Sequence, residues 1–230
     1  MTKTAFLAAA FTVLAGTASA TTMQAVYTGT VTSSHDYTDS FGSGNVTGLD
    51  GLDYSLVFLY DTPAGAESSG WDYTQQVGGS DYGWPDPVIS ATLTINGMSL
   101  SSSGDSQSYE IRRDNGSTTR VQDFAFEQFV HGMTSRYAYL FDQIYGVPGS
   151  VPLDLSQPFS QTSTDCSFCG YFYFIDYDGG TGLHSNNTSG YLNTETLTVT
   201  RVGAVPLPAS LPLMLVALGG LAALRRRRVS

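Results

Sequence analysis

The only two cysteines of the chain are Cys166 and Cys169, which are separated by two residues. In an exported protein this spacing favours a short-range disulfide that tightens a loop. A Cys-x-x-Cys pair also occurs in redox centres and in structural zinc sites. A thioredoxin-like redox centre needs a helix N-terminus to lower a thiol pKa, and structural zinc needs two further ligands. A β-type run follows the pair at 170–178, and the three histidines of the chain are scattered. We therefore predict a disulfide.

A second candidate site is the segment DYDGGTG at 176–182. Its carboxylates, Asp176 and Asp178, are two positions apart, and the glycines allow the backbone to turn back and offer carbonyl oxygens to calcium. The segment lacks the third acidic or amide residue and the distant Glu of an EF-hand loop. A glycine-rich turn with solvated carboxylates accounts for the same residues. Both interpretations stay open at this point.

Both tryptophans of the chain lie in the glycine-rich segment 70–87, among tyrosines and aspartates. Aromatic rings beside carboxylates are typical of sugar-binding surfaces, because the rings stack on a pyranose and Asp accepts hydrogen bonds from its hydroxyls. The alternative is a long loop whose indoles fold back over an open end of the fold, since Trp is usually mostly buried. The candidate sugar-binding residues are Trp71, Tyr73, Tyr82 and Trp84.

Catalytic signatures are missing from the sequence. It has no G-x-S-x-G nucleophile elbow and no H-E-x-x-H metal motif. With 20 Asp and Glu residues, some pair lies close by chance, so spacing alone identifies no glycosidase dyad. We therefore predict a protein without catalysis and keep a glycan-acting enzyme as the third alternative.

The charge of the chain is unevenly distributed. Five Arg and no Lys lie between residues 21 and 204, and all 20 carboxylates lie there too, which leaves a net charge of −15 on this region. Such a surface repels nucleic acid phosphates and anionic lipid headgroups, so we expect no nucleic acid partner. Mutual repulsion of the carboxylates favours divalent cations, and calcium is the one cofactor that we consider.

The elements that must position these residues are strands. Alternation of apolar residues with Thr at 26–33, 91–95 and 196–202 predicts half-buried antiparallel strands. Asn96-Gly97 predicts a type I′ hairpin, and Asn115-Gly116 marks a second turn. No segment predicts an amphipathic helix of more than two turns. We predict an all-β fold, an antiparallel β-sandwich that is jelly-roll-like, with about eight to ten strands.

Four further segments are apolar on both faces, and Val, Phe and Tyr dominate them. We expect such strands to be covered on two sides, or on one side by long loops. These segments are 52–61, 123–130, 136–145 and 170–178.

The N-terminus predicts a secretory signal peptide. Lys3 precedes an apolar run from Ala5 to Ala15, and Ala18-Ser19-Ala20 fits a small-x-small cleavage site. We expect cleavage after residue 20. An uncleaved N-terminal anchor is the alternative.

The C-terminus combines a proline-rich stretch, an apolar segment at 211–224 and four consecutive arginines. A helix from 212 to 224 would be about 20 Å long, which is short against a hydrocarbon core of about 30 Å. The arginines predict a membrane stop that stays in the cytoplasm. They are Arg225, Arg226, Arg227 and Arg228.

This order of features resembles the PEP-CTERM class of bacterial sorting signals, in its VPLPA variant. The motif is present letter for letter as Val205, Pro206, Leu207, Pro208 and Ala209. The resemblance implies recognition by an exosortase, an integral membrane cysteine protease of Gram-negative bacteria, and release or transfer of the body to the outer surface. A plain single-pass anchor is the alternative, and it has the same topology.

The body also resembles, more loosely, the bodies that PEP-CTERM proteins often carry. It opens with GTVTS at 29–33, continues with an ATLTI hairpin at 91–97 and closes with TLTVT at 196–200. The first and last strands of such bodies commonly pair, so the resemblance implies strand 26–33 beside strand 195–202.

The predicted domains are a signal peptide at 1–20, an ectodomain at 21–204 and a sorting signal at 205–230. We expect an exported protein that is anchored in the inner membrane before sorting and then reaches the cell surface or the extracellular matrix. Its expected role is structural or adhesive. A carbohydrate-binding module for exopolysaccharide, using the segment 70–87, is the second interpretation.

Overall fold

The computed structural model describes residues 21–62, 64–164, 166 and 168–202. The predicted signal peptide and the sorting signal at 205–230 lie outside these residues. Among the described residues, no helix is long and apolar enough to cross a membrane.

Twelve strands make up the described part of the chain, and it contains no helix. The prediction of an all-β fold is therefore confirmed. The strands are β1 (Thr21–Asp36), β2 (Asp53–Thr62), β3 (Ala66–Ser69), β4 (Tyr73–Gly78), β5 (Val88–Ile95), β6 (Met98–Ser102), β7 (Gln107–Asp114), β8 (Thr119–His131), β9 (Thr134–Gly146), β10 (Phe159–Thr162), β11 (Gly170–Asp178) and β12 (Leu183–Arg201).

The strands pair antiparallel in one continuous sheet of order β3-β4-β7-β8-β9-β11-β12-β1-β2-β5-β6, with β10 beside β12. The two ends of this sheet lie face to face, because β5 contacts β7 and β8, and β6 contacts β8 and β9. The core fills the space between these two layers. Tyr27 packs edge-on against Phe58, and Phe41 packs edge-on against Phe172.

Two predictions about pairing are confirmed. The first and last described strands are neighbours, with Val26 opposite Thr198. Strands β5 and β6 form a two-residue hairpin at Asn96-Gly97, and both residues have positive φ, at 52° and 76°. The structure has more strands than the eight to ten expected, because short strands such as β3 and β10 show no alternation that a sequence pattern reveals.

Strand β1 bends where its register with β12 shifts, between Thr28 and Gly29 and again between Val31 and Ser33. Such bulges increase local twist, which helps a long sheet to curl. A side chain at Gly29 would overlap the backbone carbonyl of Asn193, so only glycine allows the two strands to approach here.

Acidic and aromatic residues lie on opposite sides of four strands, which are β7, β8, β9 and β11. Their inner side, which faces the core, carries every Asp and Glu of these strands, and their outer side carries mostly Tyr, Phe and Gln. We expected the apolar runs at 123–130, 136–145 and 170–178 to be covered on two sides or by long loops. At the outer side of β7, Asp81 of the loop after β4 binds the side chain of Gln107. Elsewhere on the outer side, the rings pack against one another.

Candidate functional site

A row of three carboxylates crosses the inner side of the sheet. Glu110 on β7 is directly opposite Asp123 on β8, and Asp123 is directly opposite Asp142 on β9. Each of the three residues has no exposed surface. Directly opposed side chains of an antiparallel pair have Cβ atoms about 5 Å apart. The row therefore concentrates acidic groups in the least polar part of the molecule.

Tyrosines of the facing layer bind these carboxylates across the core. Tyr27 on β1 donates a hydrogen bond of 2.6 Å to Asp123, and Tyr54 on β2 donates one of 2.7 Å to Asp142. The Thr194 hydroxyl also donates to Asp142. These contacts satisfy polar groups that would otherwise be costly to bury, and they fix the register of the two layers.

Arg112 is the one cation of this network among the described residues, and it is fully buried. Its Nε lies 3.0 Å from Glu110, and one Nη donates to the Tyr60 hydroxyl at 3.1 Å. The guanidinium also donates to four backbone carbonyls of the loop between β9 and β10, which are those of Pro152, Asp154, Leu155 and Gln157. Arg112 therefore attaches this loop to the edge of the core.

Burial changes the protonation of the row. It raises the pKa of Asp142 to about 7, against the hydrogen bonds from Thr194 and Tyr54. Burial also raises the pKa values of Glu110 and Asp123. These two carboxyl groups lie directly opposite each other, so the protonation of one depends on the protonation of the other. Glu110 Oε2 and Asp123 Oδ1 have no hydrogen-bond partner among the described residues. A proton held between them would provide a partner for both.

Carboxyl groups with a pKa near 7 are suited to general acid–base catalysis, yet this row touches no solvent. A substrate cannot reach the three groups in this conformation. The row was not predicted from the sequence, and a local signal exists for one of its members. Asp142 lies between Leu140 and Ile144 at alternating positions, so the pattern of β9 assigns it to the apolar side. Glu110 alternates with Arg112, so the pattern of β7 gives no such signal.

The outer side of the same strands forms a second candidate site. Five rings lie directly opposite one another on consecutive strands, in the register order β7-β8-β9-β11-β12. We call this set the aromatic row. Its members are Tyr109, Phe124, Phe141, Tyr171 and Tyr191.

Tyr139 joins the aromatic row to the neighbouring row of side chains. Its ring centroid lies 4.9 Å from that of Phe124 and 5.6 Å from that of Tyr171. Tyr171 is in turn 5.1 Å from Tyr191, which is 46% exposed. The sequence predicted apolar strands at 123–130, 136–145 and 170–178, which include Phe124, Tyr139 and Tyr171 but not Tyr191.

The predicted disulfide loop lies at the end of the aromatic row. The structure joins the sulfurs of Cys166 and Cys169, with Cα atoms 5.2 Å apart. Between them, Phe168 has φ of 62° and is 60% exposed. Its ring packs edge-on against Tyr191, with centroids 5.7 Å apart. A bulky residue in the left-handed region is strained, so the closed loop holds this ring in a conformation that an open chain would avoid.

The structure separates the aromatic residues of the segment 70–87 into two groups. Tyr82 and Trp84 stack with a ring-plane angle of 14° and centroids 6.4 Å apart, next to the end of β4. Trp71 and Tyr73 lie at the other end of β4, a six-residue strand about 20 Å long. The four residues therefore form no common surface.

Both indoles are exposed. Trp71 is 85% exposed and Trp84 is 52% exposed, so neither is buried against the end of the sheet. Gly70, next to Trp71, lines an open groove of about 660 Å³. Glu67 and Asp154 provide its carboxylates, and Thr, Ser and Gln side chains form most of the remaining lining.

The calcium candidates lie at the end of β11, and other groups already bind them. Asp176 accepts a hydrogen bond from the Asn186 amide at 2.5 Å and lies 3.6 Å from Arg136. Asp178 accepts from the Gly180 amide at 2.9 Å and so closes the turn before β12. Among the described residues, no group of three or more His, Cys, Asp or Glu side chains is arranged to hold a metal ion. Calcium binding stays a prediction.

The sorting motif at 205–209 and the arginines at 225–228 lie outside the described residues. The last described residue, Val202, donates a backbone hydrogen bond to Thr22, so the two described ends of the chain are adjacent. No family model matches the chain, and no curated protein or solved structure matches it significantly.

Proposed function

We propose that this protein is an exported component of a bacterial cell surface or extracellular matrix, which acts by binding and not by catalysis. The observation that carries the proposal is that strands β7, β8, β9 and β11 have their acidic side chains on the inner side and their aromatic side chains on the outer side. The acidic groups whose pKa values suit acid–base chemistry are fully buried, and the aromatic side chains that suit adhesion are on the outside. The route to the surface is the signal peptide, followed by sorting at residues 205–209 by an exosortase-type membrane protease.

The proposed body is a jelly-roll-like β-sandwich formed by residues 21–204. Face-to-face packing of the two ends of the sheet and the pairing of β1 with β12 support this assignment. Because the two described ends are adjacent, a sorting signal after residue 204 and a signal peptide before residue 21 would be attached at the same end of the body.

The experiment is an intact mass measurement on the protein taken from its native host. We expect a species that starts at Thr21 and ends between residues 205 and 210, because the sorting enzyme removes the apolar segment and the arginines. A species that still ends at Ser230 would contradict sorting and matrix delivery. It would leave the body attached to the inner membrane.

A matched variant makes this measurement specific. Pro206→Ala with Pro208→Ala changes the motif and leaves the apolar segment and the arginines intact. We expect this variant to keep its C-terminus at Ser230 and to stay in the membrane fraction. Normal processing of the variant would show that the motif has no role in cleavage.

Carbohydrate binding through the segment 70–87 is the second candidate function. The near-parallel stacking of Tyr82 and Trp84 on the surface favours it, since two exposed, aligned rings offer a stacking platform for a sugar. Asp81 lies beside them and accepts a hydrogen bond from Gln107. Trp71 lies at the other end of β4, next to Gly70 of the groove, and would make a separate contact.

A further inference from the structure

We propose that the outer side of strands β7, β8, β9, β11 and β12 binds a neutral, linear polysaccharide along the aromatic row. The inference deepens the proposed adhesive role and rests on it, since it names the surface and the class of partner. We call this surface the aromatic face. Its members are Tyr109, Phe124, Phe126, Tyr139, Phe141, Tyr171, Tyr173 and Tyr191.

The shape of the site indicates a linear ligand. The aromatic row has one ring on each of five neighbouring strands, which are about 4.8 Å apart, so it extends across the sheet for about 20 Å. Phe124 is buried under its neighbouring rings, so a ligand would contact the other four. Phe168 adds an exposed ring beside Tyr191. A polymer of flat rings presents its apolar C–H faces at intervals along one line. A compact protein partner has no such repeat.

The charge of the face selects a neutral ligand. No Asp or Glu points outward from β7, β8, β9 or β11, although the region 21–204 carries a net charge of −15. The outward cations of these strands are Arg113 and Arg120, both at one end of the face. On β12, Glu195 is exposed two residues beyond Asn193 and is the one carboxylate of that strand. A polyanion would meet the long-range repulsion of the whole body, and a polycation would find this single carboxylate at the edge of the rings.

Polar groups for sugar hydroxyls flank the rings. Gln122 and Gln143 are directly opposite each other in the row beside the aromatic row, and their side-chain amides are hydrogen-bonded at 2.9 Å. Each amide keeps further donor and acceptor capacity. Asn193 lies two residues from Tyr191 on the same side of β12. Rings for stacking with amides alongside are the combination that orients a sugar on a surface.

The rings are already held in place before a ligand arrives. Tyr139 contacts three other rings, and Tyr171 contacts two. The disulfide of Cys166 and Cys169 holds Phe168 against Tyr191. Groups that are fixed before binding lose little conformational entropy on binding. Burial raises the pKa of Tyr109 to about 12, so its hydroxyl remains a hydrogen-bond donor at neutral pH.

The rest of the chain is attached far from this surface. Both described ends, Thr21 and Val202, lie at the end of β1 and β12 that is about ten strand residues away from Tyr191. In the processed body, which ends near residue 205, no C-terminal segment is left to occupy the face, so the occupant is an external polymer.

The experiment is affinity electrophoresis of the full-length protein in gels that contain hydroxyethyl cellulose, a neutral linear polysaccharide. Alginate, a linear polyanion, serves as the comparison polymer. We expect hydroxyethyl cellulose to retard the protein and alginate not to. Tyr191→Ala and Phe168→Ala change exposed rings and should fold normally, and each should weaken retardation roughly tenfold, as removal of an interface hot spot does. Tyr139→Ala should have a larger effect.

Matched variants separate this site from the segment 70–87. Phe129→Ala removes an exposed ring on the opposite side of β8, and we expect this control to be retarded like the unchanged protein. Trp71→Ala and Trp84→Ala test the second candidate site, and loss of binding in them would assign the polysaccharide to the segment 70–87. A Cys166→Ser, Cys169→Ser double variant should bind as weakly as Phe168→Ala, because the loop no longer holds that ring.

Several outcomes would overturn the inference. They are no retardation in hydroxyethyl cellulose, retardation in alginate alone, and loss of binding in the tryptophan variants instead of the aromatic-face variants. A dimer in light scattering that Tyr191→Ala abolishes would also overturn it, since a second copy would then occupy the face. In each case correct processing of the native protein would leave the proposed surface function intact. Failed processing with retained binding would reject only the route to the surface.

Discussion

At the scale of single residues, the fold depends on a few polar side chains in unusual places. Arg112 is the largest fully buried side chain in the described structure, and it joins three parts of the molecule. It binds Glu110 on its own strand, Tyr60 in the facing layer, and the loop that follows β9. An arginine suits this position because its fork of five donors serves several acceptors at once.

Replacement of Arg112 by Met should destabilise the protein by about 3–5 kcal/mol, since it leaves Glu110 and four carbonyls without a buried donor. Urea unfolding of the full-length protein measures this change. The neighbouring Arg113 provides the control. It is exposed, it lies 3.5 Å from Asp72, and Arg113→Met should cost less than about 1 kcal/mol. Equal effects of the two substitutions would contradict the role assigned to Arg112.

At the scale of elements, the contact between β1 and β12 controls how the sheet curls. These strands share one of the two longest pairings among the described strands, and their register shifts twice. Glycines lie where the strands approach most closely. Gly29 faces the Asn193 carbonyl, and Gly190 faces the ring of Phe172. The sheet can bring its two ends together only if this pairing holds its bulges in place.

The Gly29→Ala substitution tests this requirement. The added methyl group would overlap the Asn193 carbonyl, so β1 must move away from β12. We expect a loss of about 1–3 kcal/mol, as for other overpacked sites, measured as a lower melting temperature. Gly180→Ala is the matched control, because its new methyl group meets only the Asp178 carboxylate and the Met133 side chain. Wild-type stability of the Gly29 variant would show that the bulge tolerates a side chain.

At the scale of the whole molecule, carboxyl groups lie both on the surface and in the core, and the two sets affect stability differently. Exposed carboxylates give the body its negative surface, and the carboxyl groups of the buried row stay protonated to a higher pH than exposed ones. Because burial raises the pKa of Asp142 from 3.8 to about 7, the folded state binds a proton that the unfolded state releases above about pH 4. The buried row therefore favours the folded state in mildly acidic conditions.

The stabilisation from the buried row should therefore be complete below about pH 4 and should decrease as the pH rises from 4 towards 7. For Asp142 the loss is on the order of 4 kcal/mol, from 1.36 kcal/mol per pKa unit. Glu110 and Asp123 act in the same direction. The measurement is the free energy of unfolding of the full-length protein from pH 4 to pH 8.

Two variants assign the effect to the core. Asp142→Asn imitates the protonated carboxyl and should flatten the pH dependence. Asp105→Asn removes an exposed charge and should leave the dependence nearly unchanged, although each variant replaces one carboxyl group by an amide. If both variants flatten the curve to the same extent, surface repulsion and not the buried row governs stability.

Much of the architecture follows from local patterns in the chain. Alternation of Thr with apolar residues predicted the half-buried strands, and Asn96-Gly97 predicted the hairpin between β5 and β6. These features can be predicted from the sequence because they depend on neighbours two to four residues apart. The disulfide can be predicted for the same reason, since its two cysteines are three positions apart in one loop.

The candidate sites depend on which side of the sheet each residue occupies, and a local pattern leaves this undetermined. In β8, Asp123 and Phe124 are both compatible with a strand, and a register shift of one residue would exchange their sides. The facing tyrosines Tyr27 and Tyr54, about 90 residues away in the chain, supply the hydrogen bonds that make an inward carboxylate tolerable. The sequence by itself determined the all-β class, the turns and the acidic composition. Only the tertiary structure decided that acids lie inside and aromatic rings outside, because only folding brings the partners of the buried carboxylates into contact.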